Sequence, residues 1–331
     1  MNRDLIKLDS NENQLEHFFN VNECIRMVNP KNYPEVTNGE VREKIASFFG
    51  VTKEEVFVSH GSDYLIKALT FGLVRGNSEV IMPEVAFPTY EIAAKIKECN
   101  YIKIPLKNYG IDLDETLKAV NENTRLIWIS NPHNPTGTFL EDHEIIEFLR
   151  KVPPYVKVVL DEAYIEYVHE NPLNTIEIYK EFSNVIILRT FSKAYGLAGA
   201  RVGYGIARTE IIDEFKFVIG PFDLNSYGQV LAAKAIEEKD YVSKVRDINT
   251  KALKLYEEAL EDLGLEYIKS YASFIMINLG HRATKLVEEL KEKNIIIKDG
   301  KHIGMDGFVR ISTGNMEQNN IIIEKIKEFL K

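Results

Sequence analysis

Cysteine is scarce in this chain: two in 331 residues, Cys24 and Cys99, with no Cys-x-x-Cys pair and no spacing that suits a metal. They read as ordinary thiols of a reducing cytoplasm, not as a disulfide framework or a zinc site. No run of about 18 apolar residues occurs, so nothing is expected to span a membrane. Residues 1–13 are polar and lack the apolar stretch of a secretory signal. Positive charge is in deficit, 41 Lys+Arg against 50 Asp+Glu for a formal net charge of -9, which argues against nucleic acid as the main partner. The histidines at 17, 60, 143, 169, 281 and 302 form no metal-ligand grouping. Repeats, low-complexity stretches and obvious linkers are missing too. No G-x-G-x-x-G follows the first strand-like segment, against a nucleotide-binding α/β protein.

What is present is ample apolar material, 45% of residues with 27% charged, in a chain long enough for about two domains. Val41, Ile45, Phe48 and Phe49 recur at helical spacing, and Gly50 stops that helix. Leu65, Ile66, Leu69 and Leu73 predict a second helix, ended near Gly76. Short apolar runs follow over 79–82, 101–106, 125–130, 157–160, 184–188 and 203–207, with helical patterns over 90–98, 115–120 and 141–149 between them. That rhythm predicts an α/β fold, a mostly parallel sheet with helices on both faces. Beyond about residue 208 come long helices over 225–238 and 241–263. Strands are predicted over 266–268, 274–278, 295–298 and 308–312, with a last helix from Met316, together a smaller α+β C-terminal domain. The expected division is an N-terminal arm (1–33), a large domain (34–215) and a small domain (216–331). The charged stretch 237–240 reads as a solvated helix end.

Four segments carry chemistry. After the strand at 184–188 comes Thr190-Phe191-Ser192-Lys193-Ala194-Tyr195-Gly196-Leu197-Ala198-Gly199-Ala200-Arg201. A lysine at the mouth of a sheet, beside hydroxyls and glycines, is placed to hold a phosphorylated carbonyl cofactor. Thr190 and Ser192 offer hydroxyls to a phosphate, Gly196 and Gly199 allow close backbone approach, and Arg201 can clamp oxygens. The plainer alternative is a lysine on a surface turn.

The second segment, Asp161-Glu162-Ala163-Tyr164, follows the strand at 157–160, and the carboxyl ends of parallel strands collect ligands. Asp161 could pair with a protonated pyridine nitrogen and Tyr164 reach a phenolic oxygen; a helix cap followed by a core tyrosine is the alternative. In the third, Ser130-Asn131-Pro132-His133-Asn134-Pro135-Thr136-Gly137, prolines and glycine fix an irregular loop, with Asn134 as donor to a ring oxygen. The fourth, His60-Gly61-Ser62-Asp63, opens a helix whose free N–H groups favour a phosphate, though it also reads as a plain cap.

In this order the segments resemble the class I/II aminotransferases of the fold-type I pyridoxal-phosphate enzymes, with the histidinol-phosphate aminotransferase subfamily nearest. Leu8-Asp9-Ser10-Asn11-Glu12-Asn13, Asn32-Tyr33-Pro34-Glu35 and Arg189-Thr190-Phe191-Ser192-Lys193-Ala194 look like that subfamily's patterns, and the likeness runs from about Leu8 to about Gly314.

The resemblance implies an aspartate aminotransferase-like fold and pyridoxal 5'-phosphate on Lys193 as a Schiff base. Lys193 would also act as acid–base at the substrate's Cα. It further implies that Asp161 keeps the pyridine nitrogen protonated, that Asn134 and Tyr164 bond the ring oxygen, and that Phe87 of Ala86-Phe87-Pro88-Thr89-Tyr90 stacks on the ring. The phosphate would be held by backbone of Ser62 and Asp63 with Thr190, Ser192 and Arg201. Tyr33 is implied to reach a neighbouring subunit's cofactor, hence a homodimer. Arg310 of Val309-Arg310-Ile311-Ser312, Lys298 and the arm residue Asn11 are implied to contact the substrate.

Three positions depart from the subfamily. Gln14 stands where proline is usual. Lys298 occupies the region of an arginine that helps bind a substrate phosphate, keeping the charge but losing the planar fork. His133 replaces an asparagine and is expected to line its loop without proton chemistry.

The implied activity is amino-group transfer between glutamate and a phosphorylated or otherwise anionic carbonyl compound, by a ping-pong course with small-molecule donor and acceptor. A decarboxylase of a phosphorylated amino acid such as threonine phosphate shares the cofactor residues, and the Lys298-Asp299 pair keeps it open. A regulatory protein that only binds the cofactor is disfavoured, because such proteins usually carry an added DNA-binding module, whereas here the fold accounts for almost all 331 residues and the chain is acidic.

Overall fold

Three apolar segments explain the centre of the molecule. Thr124–Ser130, Lys157–Asp161 and Val185–Thr190 have almost no polar alternation, and nearly every residue in them is buried. A strand covered on one face alternates; one covered on both does not. The computed structural model, which describes residues 5–17, 19–36, 38–169 and 174–331, makes these the middle of a seven-stranded sheet.

In chain order the strands are β1 (Val56–Ser59), β2 (Glu79–Pro83), β3 (Asn100–Ile104), β4 (Thr124–Ser130), β5 (Lys157–Asp161), β6 (Val185–Thr190) and β7 (Gly203–Ile206). In space they run β1-β7-β6-β5-β4-β2-β3. The pairs among β2 to β6 are parallel, and β7 is antiparallel to both β6 and β1. Side chains of β4 divide between two apolar clusters: Leu126 and Trp128 enter one, Ile127 and Ile129 the other. Helices Ser62–Leu73 and Thr89–Lys97 cover the first face. Asp142–Lys151 and Leu113–Ala119 cover the second.

The C-terminal unit is an antiparallel sheet of β8 (Tyr267–Ile268), β9 (Phe274–Asn278), β10 (Lys298–Asp299) and β11 (Phe308–Ser312), in the order β10-β11-β9-β8. Helices Lys239–Asp262, Ala283–Glu292 and Met316–Leu330 contribute to its core. Leu8 of the N-terminal segment is fully buried in that core, at a gain of about 1.5–3 kcal/mol for a residue of its type. Just before it, Ile6–Lys7 pairs in parallel with Ile295–Ile296. The arm is therefore an added strand of the C-terminal unit.

Two expectations change. The stretch 295–298 is not one strand: Ile295–Ile296 pairs with the arm and Lys298–Asp299 with β11, so Ile297 turns into the core between two different partners. The edge strand β1 was not among the predicted strands; it follows the charged turn Lys53–Glu55 and is defined by pairing with β7, far along the chain. Gly50 ends the helix Gly39–Phe49 in left-handed conformation (φ 67°), as its position predicts. Among the described residues no helix is long and apolar enough to cross a membrane.

Candidate active site

The carboxyl ends of β4, β5 and β6 open onto a cavity of about 520 Å³, roofed by β10, β11 and the N-terminal arm. Of the residues singled out in the sequence, Asn11, Ser62, Asp63, Phe87, Asn134, Asp161, Tyr164, Thr190, Ser192, Lys193, Arg201, Lys298 and Arg310 all line it. Tyr33 does not; it stands 80% exposed, stacked on Phe222 with ring centroids 4.6 Å apart.

Asp161 ends β5 and is almost wholly buried. Its Oδ1 accepts from the Ala163 N–H at 3.2 Å and its Oδ2 from the Tyr90 hydroxyl at 2.6 Å. Burial pushes its carboxyl up from an ordinary 3.8 to about 6, against the lowering effect of these bonds. Tyr90 is itself pushed well above its ordinary value, first by burial and then by Asp161, so it keeps its proton and remains the donor. Its ring lies on Trp128, centroids 4.7 Å apart and 12° from parallel. A carboxylate fixed this way, buried and with no ion-pair partner among the described residues, suits a positively charged partner in the cavity.

Lys193 follows β6. Its Nζ donates to the Ser10 carbonyl at 2.8 Å and lies 5.6 Å from the Tyr164 ring centroid. The Tyr164 oxygen accepts from Asn11 Nδ2 at 2.9 Å. Behind this group, buried Arg189 donates to Glu162 at 2.8 Å and meets Glu166 at 3.6 Å, so one cation is shared by two carboxylates. Burial leaves Glu166 with a pKa near 7, despite the lowering effect of Arg189.

One end of the cavity is built for an anion with several oxygens. Helix Ser62–Leu73 begins there, with its first N–H groups unused by the helix. Gly203 on β7 lets that helix end approach: a Cβ at Gly203 would lie 2.3 Å from the Ser62 nitrogen. Arg201 donates to Asp63 Oδ2 at 3.1 Å, to Ser192 Oγ at 3.4 Å and to the Ala198 carbonyl at 3.0 Å. The Thr190 hydroxyl accepts from the Ser192 N–H at 3.1 Å.

At the other end Arg310, nearly buried, donates to Asn134 Oδ1 at 2.7 Å and to the Asp9 carbonyl at 2.9 Å, with its guanidinium 5.1 Å from the centroid of Phe274. Burial lowers the pKa of that guanidinium. Lys298 is its direct register partner. Among the described residues neither cation has a carboxylate within ion-pair distance.

The proline-rich loop has cis peptides at Asn131–Pro132 and Asn134–Pro135. His133 is buried within it. Its Nδ1 lies 2.6 Å from the Ser130 hydroxyl and its Nε2 2.9 Å from the Val85 carbonyl. A carbonyl only accepts, so Nε2 carries the proton and Nδ1 takes the hydroxyl's; burial lowers the ring's pKa to about 4. His133 is a neutral strut.

Sequence reasoning did not single out Tyr90 or the carbonyls of Asp9 and Ser10. Tyr90 lies in the segment Ala86–Tyr90, but its hydroxyl gains a role only when helix Thr89–Lys97 packs on the sheet and brings it to Asp161 at the end of β5. Backbone carbonyls carry no signal in a sequence.

The aminotransferase class I and II family matches residues 3–326. The chain is 36% identical to a histidinol-phosphate aminotransferase of Caldicellulosiruptor saccharolyticus over 329 residues, 98% of this chain and 92% of that one. Among solved structures it is similar to the Sinorhizobium meliloti histidinol-phosphate aminotransferase in complex with pyridoxal-5'-phosphate: TM-score 0.91, 25% identity, covering 98% of this chain and 90% of that one. The aspartate aminotransferase of Thermus thermophilus shares the fold, with a TM-score of 0.87 at 19% identity over 98% and 92% of the two chains.

Proposed function

Since the chain belongs to the class I and II aminotransferases and uses pyridoxal 5'-phosphate, we propose that it moves an amino group between glutamate and a phosphorylated or otherwise anionic carbonyl compound, as a histidinol-phosphate aminotransferase-like enzyme. The observation that carries the substrate class is the pair Arg310 and Lys298. They are opposed in register, face one cavity, and have no carboxylate partner among the described residues. Glutamate and a phosphorylated amino compound each bring anionic groups to such a pair.

Pyridoxal phosphate supplies an aldehyde that binds amines covalently and a ring that accepts the electron pair left at the substrate's Cα. The residues fit it. Lys193 would carry the aldehyde between turnovers, and its Nζ would take and return the Cα proton. Asp161, short of a cation and held by Tyr90, would keep a proton on the ring nitrogen. Asn134 has its Oδ1 occupied by Arg310, so its Nδ2 is the atom it can offer a ring oxygen, beside the Tyr164 hydroxyl. Phe87 would lie against the ring. The N–H groups of Ser62 and Asp63, with Thr190, Ser192 and Arg201, would hold the phosphate.

The homodimer belongs to the same proposal. Its support is that Tyr33, with Met27 and Phe217, leaves large apolar side chains in water. So does the division into an arm (1–33), a large domain (34–215) and a small domain (216–331), supported by an antiparallel sheet drawn wholly from the last of these. A reducing cytoplasm is the compartment that two unbonded cysteines suit.

The test is a pair of half-reactions followed by the cofactor's absorbance. Glutamate should bleach the lysine-bound form, and a phosphorylated keto compound should restore it. Carbon dioxide released without need of a keto acid, or no response to any anionic amine, would overturn the reading. Lys193→Ala should bind the cofactor without covalent attachment and lose turnover.

A further inference from the structure

Three consecutive arm residues touch three different groups of the cavity: the Asp9 carbonyl meets Arg310, the Ser10 carbonyl meets Lys193, and the Asn11 side chain meets Tyr164. The third contact is made by a side chain, and its direction can be worked out.

Asn11 is 2% exposed and left-handed (φ 55°), a conformation asparagine tolerates better than most residues. Its backbone N–H donates to Ser312 Oγ at 2.8 Å, and Ser312 Oγ lies 2.8 Å from Asn11 Oδ1. The serine oxygen therefore accepts from the backbone and gives its own proton to Oδ1. With Oδ1 taking the serine's proton, Nδ2 is the atom that faces Tyr164. An amide nitrogen only donates. The Tyr164 oxygen is consequently an acceptor on the arm side, and its proton must point elsewhere, into the cavity it lines.

We propose that Asn11 is a positioning residue, acting through Tyr164 to make the phenol an obligate donor to the oxygen of the bound ring. The role rests on the cofactor placement given above. It also joins two parts of the fold at one atom, since Ser312 ends β11 of the C-terminal unit while Tyr164 follows β5 of the large sheet. Asn11 thus reads the seating of the arm on β11 and passes it to the ring. Its Oδ1 and one of its two side-chain N–H groups are thus taken by protein hydroxyls.

The test is the pH titration of the absorbance of the holoenzyme's lysine-bound cofactor. A donor on the ring oxygen competes with the proton of the lysine–cofactor linkage for the same electron density. Losing that donor should move the titration midpoint to higher pH. Asn11→Asp offers Tyr164 an acceptor and draws its proton away from the cavity. It should raise the midpoint by roughly half to one pH unit, the size of one hydrogen bond. Ser312→Ala, which frees the amide to turn over, should move it the same way by less. Tyr164→Phe should reproduce the shift, and adding Asn11→Asp to Tyr164→Phe should raise the midpoint by clearly less than Asn11→Asp does alone, because only the direct effect of the new charge is left. An unchanged midpoint in Asn11→Asp, or a shift in the Tyr164→Phe background as large as in the unaltered one, would overturn the role of Asn11 while leaving the cofactor site standing. Failure of the unaltered protein to bind the cofactor on Lys193 would overturn both.

Discussion

Arg310 Nη1 lies 2.7 Å from Asn134 Oδ1, so the guanidinium at the substrate end of the cavity also fixes the amide beside the cofactor's place. A single cation thus links the C-terminal sheet to the proline-rich loop after β4.

Replacing it should separate those two tasks. Arg310→Ala should lower kcat/KM for glutamate by about 10- to 100-fold, the loss of hydrogen bonds to a charged group worth roughly 1.5–3 kcal/mol. Arg310→Lys should recover part of that but not all, because an ammonium cannot reach Asn134, the Asp9 carbonyl and a carboxylate in one plane. Steady-state kinetics with an absorbance control for cofactor content decide the matter.

Asp161→Asn should be more stable than the unaltered protein when both lack cofactor, and only at higher pH. Burial raises the folded carboxyl from 3.8 to about 6, so the folded state holds its proton between those values. The contribution to stability is full below about pH 4 and is lost as pH rises through about 6, by up to about 3 kcal/mol. Asparagine has no such proton to lose. Glu166, raised to about 7, titrates in an overlapping range in both proteins and cancels in the comparison. Urea denaturation at pH 4.5 and 7.5 reads the difference. With cofactor, the same substitution should cost on the order of 100-fold or more in turnover, since the charge opposite the ring nitrogen is gone.

Lys298→Arg should lower KM for a phosphorylated acceptor several-fold by restoring a planar fork. Lys298→Gln should raise it about tenfold. Glutamate's half-reaction should weaken less than the phosphorylated acceptor's in Lys298→Gln, because a carboxylate carries less charge than a phosphate to the same ammonium, measured by single-turnover absorbance.

Gly203→Ala should weaken the phosphate end. The new Cβ would meet the Ser62 nitrogen at 2.3 Å and the Gly61 carbonyl carbon at 2.5 Å, backbone atoms that cannot step aside as a side chain would. Overpacking of this kind costs about 1–3 kcal/mol, and the helix end must shift to relieve it. Equilibrium dialysis should show cofactor affinity reduced about tenfold or more, with a lower melting temperature.

Much of this site is legible in the sequence because most of its side chains come from a strand end and the turn that follows. Asp161 directly follows one apolar run and Lys193 lies in the turn after another, where a parallel sheet collects ligands whatever its strand order. The remainder depends on contacts between distant segments. Tyr90 looks like a core aromatic on a helix until folding brings its hydroxyl to Asp161. The arm's carbonyls are backbone, and the division of 295–298 into two strands requires knowing that Ile6–Lys7 pairs with one half only. Strand β1 is named by its partner β7, far along the chain.

The chain has a single tryptophan, and it is the one stacked on Tyr90 behind Asp161. The protein therefore carries one indole fluorophore, a single aromatic ring away from the carboxylate that would face the cofactor. Its emission should be quenched as the site fills and recover as it empties. Occupancy can be followed optically in the native enzyme, with no label attached.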